Sequence, residues 1–191
     1  GMRDAPTPPE TPEKKQRCPQ MWLQPIMAKK ALESQGVTPL FQHRFVRFEP
    51  NGERVRVHAE DLRTQEDVVV EGAYLLGCDG AGSAVRQQAG IEMEGRLLSY
   101  SINILLRIPG LTRQHIMGEA ERYVFVGPQG TWGNLTVVDG KDIWRLTVLG
   151  SSEKMDLAAF DAHAWVLKAL GTMDQPHRIP FEVLSVVPWR R

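Results

Sequence analysis

The densest group of potentially reactive residues in this 191-residue chain is the segment CDGAGSAVR at positions 78–86. It follows a short apolar run, AYLLG, at positions 73–77. Asp79 offers a carboxylate that can accept a hydrogen bond from a sugar hydroxyl, and Arg86 offers a cation for a phosphate or for a structural ion pair. Gly80 allows a ligand to approach the backbone closely. These residue types at this spacing predict one edge of a ligand-binding site.

The same segment predicts a strand–turn–helix unit. AYLLG is continuously apolar, as in a strand that is buried on both faces, and residues 81–89 form a short helical pattern closed by Gly90. Ser83 is a suitable N-cap, and the first N–H groups of this helix are expected to be free to bind an anion. The alternative is an ordinary capped strand–turn–helix unit without a ligand, which the spacing alone favours.

The hydrophobic periodicity of the rest of the chain predicts an α+β fold. A proline-rich, flexible arm is expected at 1–19, followed by one region at 20–95 and a second, mostly antiparallel region at 96–191. The clearest strand is 98–108, where apolar residues alternate over six positions. Helices are expected at 21–35 and 156–170, and further strands at 43–49, 53–59, 67–71, 122–126, 131–138, 142–149 and 181–187.

Charge and cysteine content exclude several classes of protein. Lys and Arg number 23 against 23 Asp and Glu, so the chain lacks the surplus positive charge that nucleic acids and anionic membranes attract. No apolar run is long enough to span a membrane. Cys18 and Cys78 form neither a disulfide framework nor a zinc motif, and the five histidines lack ligand spacing. We therefore expect no metal and a cytoplasmic location.

The run GCDGAGSAVR at 77–86 resembles the DG motif of the FAD-dependent aromatic hydroxylases, the single-component flavoprotein monooxygenases related to para-hydroxybenzoate hydroxylase. The run QMWLQPI at 20–26 resembles the helix whose leading glutamine contacts the flavin in that family. Segments of 99–146 resemble the sheet that roofs the substrate pocket, and VVPW at 186–189 resembles the strand leading to the second FAD motif. The resemblance implies an α/β FAD-domain fragment followed by a mostly antiparallel substrate-domain sheet with a backing helix. It also implies cofactor contacts by a set of five residues: Gln20, Asp79, Gly80, Ser83 and Arg86.

The activity implied by the resemblance is hydroxylation of an aromatic or polyketide-like substrate with FAD and NAD(P)H. No catalytic side chain is assigned, because the flavin performs the oxygen transfer. The family's GxGxxG run is absent, and the chain stops before the second FAD motif. We therefore expect a middle fragment that is inactive alone and binds FAD weakly or not at all. The alternatives are a non-catalytic remnant that binds a ligand or a protein, and one half of a split enzyme.

The apolar run at 73–77 also bears on association. If a neighbouring strand is missing, the run leaves unpaired backbone groups beside exposed apolar surface, which favours pairing with another chain. The sequence thus predicts a homo-oligomer or a complementing chain.

Overall fold

The computed structural model describes residues 6–13, 18–95, 98–150, 153 and 156–190. The chain divides into two compact units: the meander unit, Gln20–Gly95, and the sheet unit, which combines Arg96–Arg191 with Gly1–Pro19. The described part of the predicted arm, residues 6–13 and 18–19, contains no helix or strand. Within the described residues, no helix has the length and apolar character needed to cross a membrane. The same residues contain no group of three His, Cys, Asp or Glu that could hold a metal.

The meander unit is built around a three-stranded antiparallel sheet in the order β1-β2-β3. The hairpin between β1 and β2 turns at Gly52, whose φ of 62° is a left-handed conformation that glycine adopts without strain. This confirms the predicted hairpin. The elements of this unit are α1 (Gln20–Glu33), β1 (His43–Asn51), β2 (Arg54–Asp61), β3 (Asp67–Gly72) and α2 (Ala84–Gln88).

Charged side chains connect the strands of the meander. Glu49 accepts hydrogen bonds from Arg47 at 2.7 Å and from Arg56 at 3.4 Å, and lies 3.3 Å from His58 Nε2. The bonds from Arg47 and His58 lower the pKa of Glu49 to about 2. Among the apolar side chains described in this unit, Ala59 alone is buried. The described contacts between these strands are therefore backbone pairing and charged side chains, without a buried apolar cluster among the described residues.

One prediction for the meander unit was wrong, and a second was confirmed in part of its extent. AYLLG is a loop rather than a buried strand, and the side chains of Tyr74 and Leu76 are 87% and 82% exposed. A strand requires a neighbour for its backbone hydrogen bonds, and no described strand pairs with this run. The helix expected at 21–35 is present as α1, but none of its residues is buried. Its apolar positions, such as Ile26, face solvent.

The sheet unit contains a five-stranded antiparallel sheet in the order β5-β6-β7-β4-β8. The connection from β4 to β5 includes a short 3-10 turn at Leu111–Arg113. One helix, α3, packs on one face of the sheet. The α+β class predicted from the sequence is confirmed. The elements are β4 (Tyr100–Arg107), β5 (Arg122–Gly127), β6 (Gly130–Val137), β7 (Ile143–Leu149), α3 (Ala162–Leu170) and β8 (Glu182–Arg190).

The core of the sheet unit lies between the sheet and α3. Ile102, Ile104 and Leu106 of β4 are fully buried, as the alternating pattern predicts. They belong to one cluster with side chains of β7 and with Val166 of α3. The predicted pattern fails near its start, where Leu98 is exposed, Tyr100 is partly buried, and Ser101 of the other face is buried.

Helix α3 begins six residues later than the sequence pattern indicated. Asp161 is its N-cap, and the Asp161 side chain accepts the backbone N–H of Ala164 at 2.9 Å. Gly171, with φ of 66°, ends the helix in the left-handed conformation. The capping aspartate therefore sets the start of the helix, although apolar residues precede it.

Candidate functional site

The carboxylate of Asp79 is the centre of the candidate site. Its Oδ1 accepts the hydroxyl of Ser83, and its Oδ2 accepts the backbone N–H groups of Ala84 at 2.7 Å and Val85 at 3.3 Å. The hydroxyl of Ser83 and these amides stabilise the charged form and lower the pKa of Asp79, although partial desolvation opposes them. Asp79 is thus a carboxylate at neutral pH and lies at the start of α2.

The N-terminus of α2 differs from the expectation that its N–H groups are free for an anion. Ala84 and Val85 donate to Asp79, and the N–H of Arg86 donates to Ser83 Oγ at 3.0 Å. The turn brings Asp79 back over the helix because the N–H of Ser83 donates to the carbonyl of Gly80 at 3.0 Å. The prediction that these N–H groups are free was therefore wrong. The carboxylate of Asp79 places acceptor oxygens at the start of α2.

Gly80 and Gly77 have different roles in the turn. Gly80 has φ of 85°, a conformation that side chains disfavour, and a Cβ at this position would meet no atom within 4 Å. The backbone at Gly80 is therefore open to a ligand. At Gly77 a Cβ would lie 3.0 Å from the Cβ of Val85, so this glycine allows α2 to pack closely. Gly77 is the first residue of the run that resembles the DG motif, but it was not predicted as a site residue.

Arg86 makes a structural contact. Its Nη1 donates to the carbonyl of Ile91, which fixes the chain that follows α2. Its Nε is buried and has no hydrogen-bond partner within the described residues. Arg86 and Ser83 line a cleft of about 570 Å³ beside α2, whereas Asp79 and Gly80 are not among its lining residues.

Gln88 also positions the site and was not singled out from the sequence. Its side-chain Oε1 accepts the backbone N–H of Phe48 at 2.8 Å and so ties α2 to β1. The neighbouring Gln87 donates from Nε2 to the carbonyl of Gly82 at 3.0 Å, which braces the turn. A glutamine in a short helix gives no sequence signal for either contact.

The structure brings four of the five predicted site residues together. Asp79, Gly80, Ser83 and Arg86 belong to one turn and the helix that follows it. Gln20 is the first residue of α1, is exposed, and makes no side-chain hydrogen bond with the turn in the part of the chain that is described.

A helix capped by an Asp-Gly turn beside a β-meander, and an antiparallel sheet backed by one helix, are elements that the resemblance to flavin-dependent hydroxylases predicts. A family profile described as FAD binding domain matches residues 4–156. The chain belongs to this family, that of the FAD-dependent aromatic hydroxylases, as its resemblance to them predicts. The match begins within the segment that the sequence reasoning treated as an arm.

Similar proteins are considerably longer than this chain. The FAD-dependent monooxygenase opdD of Penicillium oxalicum (strain 114-2 / CGMCC 5302) is 24% identical over 177 residues, which are 87% of this chain and 33% of that protein. RebC-10x, solved in native and K252c-bound form, is 28% identical with a TM-score of 0.78, over 98% of this chain and 35% of that chain. Aklavinone-11 hydroxylase, solved with FAD and aklavinone, shares the fold, with a TM-score of 0.79 at 22% identity over 94% of this chain and 34% of that chain. The chain thus spans about a third of the length of these relatives.

Proposed function

We propose that this chain is part of a cytoplasmic FAD-dependent monooxygenase that hydroxylates an aromatic or polyketide-like substrate. One atom of O₂ is inserted into a C–H bond of the substrate. The other atom is reduced to water by a hydride (two electrons and one proton) from NAD(P)H together with one proton from solvent. When bound, FAD supplies the oxygen-activating chemistry. The family match and the similarity to monooxygenases that act on such compounds support this proposal.

The Asp-Gly turn fits the hydroxyl-bearing chain of FAD better than its phosphates. Asp79 accepts the hydroxyl of Ser83 and the N–H groups of Ala84 and Val85, and its own backbone N–H also stabilises the charged form. The carboxylate is exposed, so a ligand hydroxyl can approach its oxygens. The helix amides that would attract a phosphate are already occupied by Asp79 and Ser83. This occupation of the helix N-terminus is the observation that carries the proposed binding mode.

The five proposed cofactor residues then have distinct roles. Asp79 accepts from a flavin hydroxyl, and Gly80 lets the flavin approach the backbone. Ser83 and Arg86 hold the turn through their hydrogen bonds to Asp79 and Ile91, respectively. Gln20 contributes from the exposed start of α1.

We further propose that the two units bind different molecules. The meander unit is the partial FAD- and NAD(P)H-binding domain, residues 1–19 are an arm, and the sheet unit binds the substrate. The sheet face that points away from α3 carries polar side chains, among them Thr147, whose hydroxyl donates to Asn103 Oδ1 at 2.7 Å. This face offers groups that can orient a hydroxylated aromatic molecule.

Further polypeptide is proposed to cover the apolar surface of the meander unit. Ile26 and Met27 on α1, and Leu76 in the loop before the turn, are exposed. A second copy or a complementing chain would bury them. Light scattering at micromolar concentration tests the homo-oligomer, because a single species of 21.5 kDa, the mass of one chain, would contradict it.

The proposed binding mode is tested by equilibrium dialysis of FAD against the purified chain. We expect weak binding, which Asp79→Asn decreases by about tenfold, roughly the effect of one charged hydrogen bond. Asp67→Asn, which removes an exposed carboxylate at the start of β3, is the matched control and leaves binding unchanged. Binding that is equally strong in the Asp79→Asn variant would contradict the role of the turn, and tight stoichiometric binding would contradict the expected weakness.

A further inference from the structure

We propose that the sheet unit contains a second small-molecule site, which binds a compact apolar molecule carrying a carboxylate. The site is a cavity of about 620 Å³, here called the α3 cavity, and its walls include Leu111, Tyr123, Leu135, Leu170 and Ile179. This volume lies within the range of about 300–1,000 Å³ that is typical of ligand pockets. Neither the FAD nor the substrate proposal uses the cavity.

The position of the α3 cavity separates it from both proposed sites. Tyr123 and Leu135 belong to the core side of the sheet, the side on which α3 packs. The proposed substrate face, with Asn103 and Thr147, is the opposite side of the sheet. The Asp-Gly turn belongs to the other unit. A ligand in the α3 cavity would therefore be an additional ligand of the protein.

His115 contributes a hydrogen-bond donor with no acceptor. Its Nδ1 accepts the backbone N–H of Met117 at 3.2 Å, so the neutral ring carries its proton on Nε2. The ring is held edge-on against Tyr123 with centroids 5.0 Å apart. Nε2 is buried and has no hydrogen-bond partner within the described residues. Buried donors are rarely left unpaired in folded proteins. A rotation of the ring would bring this shielded N–H to a ligand oxygen in the cavity.

Thr172 contributes a second unpaired polar group to the lining of the same cavity. The residue is 3% exposed, and its Oγ1 has no partner among the residues described. Its backbone N–H donates to the carbonyl of Leu167 at 2.9 Å, which holds the main chain directly after α3. Only rotation about χ1 is then needed to turn the hydroxyl towards a ligand, and rotamer changes of this kind are common on binding.

Two arginines give the cavity a positive character. Arg122 and Arg178 line it, are exposed, and form no ion pair with any residue that the structure describes. No described lining residue is acidic. A guanidinium binds a carboxylate through paired hydrogen bonds, and the largely aliphatic and aromatic walls accept an apolar body. The combination of unpaired donors with apolar walls selects a carboxylate on a compact hydrophobic molecule.

The proposal is tested by titrating the purified chain with 2-naphthoic acid and with 2-methylnaphthalene, which lacks the carboxylate. We expect saturable binding of the acid at one site, with the hydrocarbon at least about tenfold weaker, as expected for loss of charged hydrogen bonds. Thr172→Val keeps the shape of the side chain, and Arg178→Met keeps its length. Each is expected to weaken binding of the acid by about fivefold or more. Ala169→Phe fills the cavity and is expected to abolish binding.

The controls separate loss of the site from loss of the fold. Thermal unfolding is expected to show that Thr172→Val is at least as stable as the parent chain, because it removes an unpaired buried hydroxyl. Arg178 is exposed, so Arg178→Met is expected to fold normally. Ile26→Ser, on the exposed face of α1, is expected to bind the acid like the parent chain. The proposal is overturned if no saturable binding is found, if the acid and the hydrocarbon bind equally, or if Arg178→Met and Thr172→Val bind like the parent.

Discussion

The two units of this chain are held together by different interactions. In the sheet unit, Ile104 and Leu146 pair across β4 and β7 and are fully buried against α3. In the meander unit, the described strands are connected mainly by backbone pairing and by charged side chains such as Glu49 and Arg56. The meander unit nevertheless carries the turn proposed to bind FAD.

This difference indicates how each unit depends on its surroundings. A buried apolar cluster stabilises the sheet unit without help from other molecules. The meander unit exposes apolar side chains on α1, and its charged network is accessible to water and salt. We therefore expect the meander unit to be the one that gains stability from FAD and from the further polypeptide proposed above.

The largest effect is expected in the core of the sheet unit. Leu146→Ala leaves a cavity between the sheet and α3 and is expected to lower the free energy of unfolding by about 2–5 kcal/mol. Val70→Ala in β3, where the side chain is 43% exposed, is the matched control and is expected to change it by less than about 0.5 kcal/mol. Urea unfolding followed by tryptophan fluorescence measures both. Equal losses would show that the two units are stabilised in the same way.

Two glycines, Gly133 in the sheet unit and Gly82 in the meander unit, provide a second comparison of packing in the two units. A Cβ at Gly133 in β6 would lie 2.8 Å from the carbonyl oxygen of Thr147, so Gly133→Ala forces the backbone of the sheet to shift. We expect a loss of about 1–3 kcal/mol, as for other overpacked sites. Gly82→Ala, where a Cβ would meet no atom within 4 Å, is expected to be neutral. The unfolding temperatures of the two variants test this prediction. A Gly82→Ala variant that is as unstable as Gly133→Ala would contradict it.

Acid is expected to weaken the meander unit. The pKa of Glu49 is about 2, and Arg63 together with its backbone N–H lowers the pKa of Asp61. A carboxyl group whose pKa is lower in the folded state stabilises the fold above its unfolded pKa, and this contribution is lost as the pH falls through the folded value. The protection factor of the Val57 amide in β2, which is the intrinsic exchange rate at each pH divided by the observed rate, is therefore expected to fall between about pH 5 and pH 2. High salt is expected to weaken the contribution of Glu49, whose side chain is 37% exposed, more than that of the buried Asp61.

A variant and a reference position make the acid prediction specific. Glu49→Gln is expected to reduce the pH dependence of exchange at Val57, because one of the titrating groups is removed. Exchange at Leu146 in the core of the sheet unit serves as the reference. An equal fall in the protection factors of Leu146 and Val57 would show that the meander unit is not the weaker one in acid.

The smallest effect on global stability is expected at the turn. Asp79→Ala removes the acceptor for the N–H groups of Ala84 and Val85, so α2 is expected to fray while overall unfolding changes little. Asp79→Asn retains a side-chain oxygen that can cap the helix. Amide exchange across Ala84–Gln88 is expected to accelerate in the alanine variant and to remain nearly unchanged in the asparagine variant. Equal protection of α2 in all three proteins would show that Asp79 does not cap it.

Local patterns in the sequence predicted much of this structure. The alternation from Ile102 to Leu106 identified the buried face of β4, and Asp79, Gly80, Ser83 and Arg86 lie together because they are neighbours along the chain. Whether residues 73–77 form a strand could not be predicted from these residues alone, because a strand needs a neighbouring strand that its own residues do not specify.

Three-dimensional packing determined the features that the sequence did not reveal. The sequence predicts free N–H groups at the start of α2. In the structure, the left-handed backbone at Gly80 turns the chain so that Asp79 accepts them. His115 and Thr172 lie 57 positions apart, and only the tertiary structure brings them to one cavity. The start of α3 could have been predicted from the sequence, because aspartate is a preferred N-cap residue and Asp161 occupies that position. The prediction followed the apolar residues that precede Asp161 instead.

The central claim is that the Asp-Gly turn binds the hydroxyl-bearing part of FAD and leaves its phosphates to other groups. Backbone amide shifts of the ¹⁵N-labelled chain, recorded during titration with FAD and separately with ADP, test it directly. We expect FAD to shift the amides of Cys78–Gly82, ADP to leave them unchanged, and Asp79→Asn to remove the FAD response. Equal shifts with ADP alone at Ala84 and Val85, or no shift at the turn with FAD, would contradict the claim.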